Sequence, residues 1–221
     1  MIKKIKYIKC LGILLVVLLG LVTAYYVNEV VQARAITPDL TRQLTRPENI
    51  KLRVEELPEG WLEILLKVED PEFFNHNGMD LRTPGAGLTT ITQGMVKYLY
   101  FDNFKPGLAK LRQTLIAVFA LNALAPKEVQ LLIFLNTVYL GHPEGKAVKG
   151  FPEGAGVYFE KEFHELTEDE FISLVAMIIG PNYFDPIKHP EANRLRVVRI
   201  RNLINGEYKP TGLMDLYYDR D

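Results

Sequence analysis

Val68-Glu69-Asp70-Pro71-Glu72-Phe73-Phe74-Asn75-His76-Asn77-Gly78-Met79-Asp80 is followed, after a short gap, by Thr89-Thr90-Ile91-Thr92-Gln93. Ahead of it, Trp61, Leu65 and Val68 have helical apolar spacing, and Pro71 disfavours helix beyond it. The pattern predicts a helix that ends near Glu69. A carboxylate there meets the negative end of the helix macrodipole and two like-charged neighbours, Asp70 and Glu72, so its pKa is expected to rise. That makes Glu69 a candidate general base. The plain alternative is a solvated acidic helix end, which the acidic pair alone does not exclude.

Working outward, the chain reads as helices without convincing strands. Thr90 and Gln93 have capping-box spacing, and Ile91, Met95 and Leu99 follow on one face, which leaves Lys97 on the other with Thr90 and Gln93. Residues 108–123 predict a long apolar helix bearing Lys110, Arg112 and Gln113. Residues 127–140 predict another, apolar nearly all round and therefore buried. Thr167 and Glu170 repeat the capping box before Phe171, Leu174, Val175 and Ile178, with Gly180-Pro181 as the stop. Pro190 opens a last helix carrying Arg194, Arg196, Arg199 and Arg201. The expected class is all-α.

In order along the chain, Glu69, Asp70, Phe73, His76, Gly78 and Asp80 form Glu-Asp-x-x-Phe-x-x-His-x-Gly-x-Asp. Gly87-Leu88-Thr89-Thr90-Ile91-Thr92-Gln93-Gly94 follows with Lys97 beyond it, and later come Lys127, Leu131, Leu135-Asn136, Gly141, Tyr158-Phe159 and Asp185-Pro186. In these motifs the sequence resembles the family 51 peptidoglycan glycosyltransferases, over about residues 55–205. Members are lysozyme-like enzymes that polymerise lipid II into glycan strands.

The resemblance implies a role for each matched position. Glu69 would take the proton from an acceptor 4-hydroxyl as it attacks the donor's anomeric carbon with inversion, and the lipid diphosphate would leave. Lys97, and Lys105 at a position where members carry a basic residue, would clamp the diphosphate through charge-assisted hydrogen bonds, with Lys110 and Arg112 as further basic candidates. Asp70, Thr90, Thr92 and Gln93 would line the sugar or phosphate site, although Thr90 has a competing use as a helix cap. His76 would brace the Glu69 loop with Phe73 beneath it, Gly78 would shape that loop, and Asn136 would be a buried amide satisfied by nearby backbone. Tyr98, Tyr100, Phe101 and Phe104 read equally as core or as a face that dips into lipid. The implied partners are lipid II, the polyprenyl-diphosphate-linked strand, inner-membrane lipid and other cell-wall synthesis proteins.

Three departures from the family pattern stand out. Members carry a second glutamate where this chain has Gln113, at the second catalytic position. Two more acidic positions are Asn122 and Leu132. Only Leu81-Arg82-Thr83-Pro84-Gly85-Ala86 separates the first two motifs, where members have more chain. A glutamine keeps size and an acceptor oxygen but loses charge, which weakens most a contact to a divalent cation such as Mg or Mn. Gln113→Glu is therefore expected to maintain or raise activity. The histidines His76, His142, His164 and His189 show no metal-ligand spacing.

At the amino terminus, Lys3, Lys4, Lys6 and Lys9 precede an uncharged apolar run from Cys10 to Asn28. It reads as an uncleaved anchor or as a cleaved signal peptide with Val22-Thr23-Ala24 or Ala33-Arg34-Ala35 as the site; its length favours the anchor. The basic flank would stay in the cytoplasm, placing the rest outside the bacterial inner membrane. The expected organisation is a flank at 1–9, an anchor at 10–28, a connector at 29–50, a glycosyltransferase domain at 51–206 and a solvated tail at 207–221.

The 221 residues carry a formal net charge of −1, and the part beyond the basic flank is acidic, which is no nucleic-acid profile. Ser173 is the only serine and is followed by Leu174-Val175-Ala176, so the Ser-x-x-Lys nucleophile of a transpeptidase is absent and the chain reads as monofunctional. Cys10, the lone cysteine, excludes an internal disulfide. Two other functions fit the same residues: a degenerate relative that binds lipid II or glycan without polymerising it, and a lysozyme-like lytic enzyme, which needs the glutamic acid but no phosphate clamp.

Overall fold

A computed structural model of the protein describes residues 2–219. Among the described residues nine α-helices follow in order: α1 (Ile2–Leu44), α2 (Trp61–Glu69), α3 (Ile91–Leu99), α4 (Leu108–Ile116), α5 (Asn122–Leu124), α6 (Lys127–Thr137), α7 (Phe151–Phe159), α8 (Glu168–Met177) and α9 (Pro190–Ile204). A π-helical turn, Ala117–Leu121, joins α4 to α5. Among the described residues the only β pairing is an isolated bridge between Tyr139 and Lys149. The class is all-α and lysozyme-like, as expected.

The core is built on α8, whose residues from Phe171 to Met177 are all buried. Trp61 of α2 stacks on Phe171 with ring centroids 4.4 Å apart, and Phe163 meets both rings edge-on. Such aromatic contacts add to the burial of large apolar area. Both predicted capping boxes form: Thr90 accepts from the Gln93 amide at the start of α3, and Thr167 accepts from that of Glu170 at the start of α8.

Asn136, expected to be buried, is half-buried, and its amide is satisfied by backbone groups, most of them far away in sequence. Its Oδ1 accepts from the amides of Lys51 and Leu52, and its Nδ2 donates to the carbonyls of Leu52 and Leu132. The side chain staples the segment before α2 onto α6. Asn136→Ala is expected to cost about 2–3 kcal/mol, since it leaves two amides and a carbonyl without their partner; chemical unfolding of the purified protein would measure it.

Two stretches differ from the sequence expectation. Residues 29–50 were expected as a connector, yet α1 runs unbroken to Leu44 through Pro38. Tertiary contacts hold it: Ala33 and Thr37 are buried, Thr37 shares a hydrogen bond with Tyr100, Arg34 donates to the Phe119 carbonyl, and Glu29 pairs with Arg112. From Lys9 to Leu44 the helix is long and apolar enough to cross a membrane, and its large apolar side chains from Leu11 to Val22 are exposed. The side chains of Lys3, Lys4 and Lys6, on which the orientation argument rests, lie outside the described residues.

The carboxy-terminal segment is the other. It was expected to be solvated, but Tyr218 is only 4% exposed, its hydroxyl donates to the Val68 carbonyl, and the Gly85 and Gly87 amides donate to the carbonyls of Gly212 and Leu213. Arg220 and Asp221, at its end, lie outside the described residues.

Candidate active site

Glu69 closes α2, and Asp70 ends the helix in a non-helical conformation. The corner is held by Asp70 rather than offered by it. Fully buried, Asp70 accepts from His76 Nε2 (2.8 Å) through Oδ1 and from the Ile91 amide (2.9 Å) through Oδ2. It thus caps the first turn of α3 from another element, fixing the Glu69 corner against the Thr-Thr-Ile-Thr-Gln segment. The Gly78 amide donates to His76 Nδ1 (3.0 Å), so the ring's proton sits on Nε2 and points at Asp70. His76 therefore braces the loop, with Phe73 buried beside it. Gly78 has φ +88° and lies so close to the π turn that a Cβ would come within 2.9 Å of the Ala117 carbonyl oxygen. Only glycine fits there without strain.

A cleft of about 350 Å³ opens beside this corner. Glu69, Thr90, Lys97, Lys110 and Gln113 all line it, together with Arg196 of α9, which the sequence reading had not singled out. Burial pushes the Glu69 carboxyl up to about 8; the nearby Arg196 charge holds it down and Asp70 adds a smaller upward push. The direction matches the expectation, but the main cause is desolvation and not the like-charged neighbours.

Lys97 is exposed on α3, with its amine 5.3 Å from the Tyr98 ring centre and 5.7 Å from that of Phe104. Lys110 donates to the Thr89 hydroxyl (2.7 Å), and burial together with the Lys97 charge lowers its pKa. Two cations at one cleft repel each other and are relieved by a bound anion.

Other candidates face elsewhere. Thr92 is buried and donates to Gln130 (2.7 Å), and Gln93 is buried bridging Thr90 to Thr114, so both tie α3 to its neighbours. Arg112 turns to α1, where it pairs with Glu29 and lies 4.5 Å over the Phe101 ring. Lys105 is exposed between Phe104 and Pro106, which line the cleft while it does not. The aromatic cluster divides: Tyr98 and Phe104 line the cleft, whereas Tyr100 bonds to Thr37 and Phe101 packs on the core. Lys127, noted in the sequence only for its place in the motif order, puts its amine 4.4 Å over the Phe73 ring without a hydrogen bond. Burial lowers its pKa to about 8, against the Asp70 charge.

Gln113 is fully buried. Its Nε2 donates to the Gln93 carbonyl (2.6 Å), and its Oε1 has no hydrogen-bond partner. A carboxylate here would set oxygen against oxygen, so Gln113→Glu is expected to cost about 1–3 kcal/mol of stability, read as a lower midpoint in thermal unfolding. Among the described residues no group of three or more His, Cys, Asp or Glu side chains is arranged to hold a metal ion.

The family model described as Transglycosylase matches residues 37–205. The chain is 30% identical to penicillin-binding protein 1F of Bacillus subtilis over 167 residues, covering 70% of this chain and 23% of that protein. It is 30% identical to penicillin-binding protein 1B of Vibrio cholerae over 162 residues, covering 67% and 21%, and 28% identical to penicillin-binding protein 1B of Escherichia coli over 147 residues, covering 61% and 17%. The chain thus spans about a quarter or less of the length of these relatives.

Proposed function

This chain belongs to the transglycosylase family, the family 51 glycosyltransferases, and on that premise we propose that it is a membrane-anchored peptidoglycan glycosyltransferase that extends glycan from lipid II. The supporting observation is that Glu69, with its carboxyl pushed up to about 8, shares one cleft with the Lys97 and Lys110 amines. A base of that pKa is half ionised near pH 8 and basic enough to draw a proton from a sugar hydroxyl as its oxygen attacks. The proton passes to Glu69, the acceptor oxygen bonds to the anomeric carbon with inversion, and the bond to the lipid diphosphate breaks. Lys97 and Lys110 hold the departing negative charge, which grows as that bond breaks and so is stabilised more in the transition state than before it. Lys105, on the adjacent loop, is a further diphosphate contact for a substrate that extends past Phe104.

The remaining site residues act through position. Asp70, His76, Phe73 and Gly78 fix the Glu69 corner; Thr90, Thr92 and Gln93 set α3 beside it; Arg112 ties α4 to α1. In this reading α1 anchors the domain in the bacterial inner membrane on its outer side, with Tyr25 and Tyr26 at the interface. The substrate's prenyl chain then stays in the bilayer while its diphosphate reaches the two lysines. Membrane lipid and other cell-wall synthesis proteins are its neighbours there. Gln113 offers an amide where a carboxylate would hold a divalent cation best, which weakens any such contact here.

Binding of lipid II without turnover is the second reading, favoured by Gln113 replacing a family glutamate. Purified full-length protein in detergent, given lipid II, separates the two. Conversion to polymer supports the glycosyltransferase, binding with the substrate left monomeric supports the binder, and clearing of sacculi without any lipid substrate indicates a lytic enzyme.

A further inference from the structure

We infer that Tyr98 and Phe104 are positioning residues for Lys97: their rings hold its ammonium at the cleft while leaving its N–H donors free for a diphosphate. The inference rests on the glycosyltransferase reading, in which Lys97 holds the departing diphosphate. All three side chains line the cleft beside Glu69.

The Lys97 amine lies 5.3 Å from the Tyr98 ring centre and 5.7 Å from that of Phe104, both inside the roughly 6 Å over which a ring face attracts a cation. Helix geometry alone does not produce this contact. Successive residues on a helix point to different sides, and Lys97 and Tyr98 are successive in the last turn of α3, so they meet only because both side chains turn to the cleft. Phe104 reaches the same amine from the loop between α3 and α4. Each ring is itself braced. Tyr98 packs on Tyr139, 6.1 Å away, whose hydroxyl bonds to His142, and Phe104 meets Phe101 edge-on at 5.3 Å. Phe101 in turn carries the Arg112 guanidinium that pairs with Glu29 of α1.

The chemistry of the contact explains the choice of partner. Among the described residues Lys97 makes no hydrogen bond or ion pair, and a ring face attracts an ammonium through its quadrupole without taking up the donors as an oxygen would. A carboxylate in the same place would occupy those donors and repel an incoming anion. Lys110 shows the contrast: its amine donates to the Thr89 hydroxyl (2.7 Å), a bond that must be exchanged when an anion arrives. Lys97 needs no exchange. A cation already in place as charge grows on the leaving group is what electrostatic preorganisation requires.

The test is a double-mutant cycle on the full-length protein in detergent, read by calorimetric titration with a short-chain prenyl diphosphate. Tyr98→Leu and Phe104→Leu are each expected to weaken binding about 2–5-fold, the change that a cation–π contact at an exposed site supplies. Tyr98→Phe, which keeps the ring, is expected to recover the binding lost in Tyr98→Leu. In a Lys97→Met background the same ring substitutions are expected to have no further effect, an outcome that loss of packing alone would not give. Thermal unfolding checks the fold of each variant, and Phe104→Leu, on a loop, carries the test should Tyr98→Leu not fold. If Lys97→Met binds too weakly to titrate, recovery by Tyr98→Phe decides. Ring variants that bind like the wild type, or that lose as much without Lys97 as with it, overturn the inference and leave the glycosyltransferase reading standing. A wild type that does not bind the diphosphate overturns both.

Discussion

Glu69→Gln is expected to lower glycan-strand synthesis by about 10²–10⁴-fold, the range that a positioned general base supplies, with lipid II binding retained. Glutamine keeps the shape of the corner but cannot take the acceptor's proton. Because burial holds the carboxyl at about 8, the wild-type rate should climb with pH and level off above 8, as Glu69 becomes ionised. The same shift makes a stability prediction of definite sign. Between the ordinary value of 4.5 and about 8, the folded protein keeps a proton that the unfolded chain has released, so stability falls as pH rises through that window. Glu69→Gln removes this slope. Lipid II turnover together with unfolding at pH 5 and pH 9 checks both statements; undiminished polymerisation by the variant, or a pH slope equal to that of the wild type, sinks the assignment.

Arg196→Ala is expected to produce the largest loss of stability, about 3–5 kcal/mol, as for a buried charged side chain whose partners are left unpaired. Arg196 is 2% exposed. It donates to the Leu216 carbonyl, lies 4.6 Å from the Tyr218 ring and 5.9 Å from that of Tyr217, and its charge holds the Glu69 pKa down. For a domain of this size the loss corresponds to roughly 6–20 °C in thermal midpoint. A purely structural role would stop there. Removing the cation also frees the Glu69 pKa to rise further, so the ascending limb of the pH–rate profile should move to higher pH in Arg196→Ala and less in Arg196→Lys, which keeps the charge without the planar fork. An unmoved limb in Arg196→Ala would leave Arg196 a packing residue only.

These two side chains show how the site divided between sequence and fold. Glu69 was legible because its signal is local: apolar spacing before it, a proline after it and an acidic neighbour. Arg196 had no such signal. On α9 it is one of four arginines, and nothing in the spacing marks which of them turns inward to the cleft. The same holds for Asp70, Thr92 and Gln93, whose motif positions were plain but whose side chains turn into the protein to hold α3.

Sequence alone determined the all-α class, the end of α2, the capping boxes at Thr90 and Thr167 and the apolar character of the amino-terminal helix. Each of these follows from interactions between residues a few positions apart, where backbone dihedrals, caps and side-chain period act. Only the tertiary structure decided that α1 continues to Leu44, that Gln113 faces a carbonyl, that Arg112 turns to Glu29, and that the carboxy-terminal segment seats beside Glu69. Those outcomes depend on which buried polar groups find partners across the fold, and a buried donor or charge must be matched wherever in the chain its partner lies.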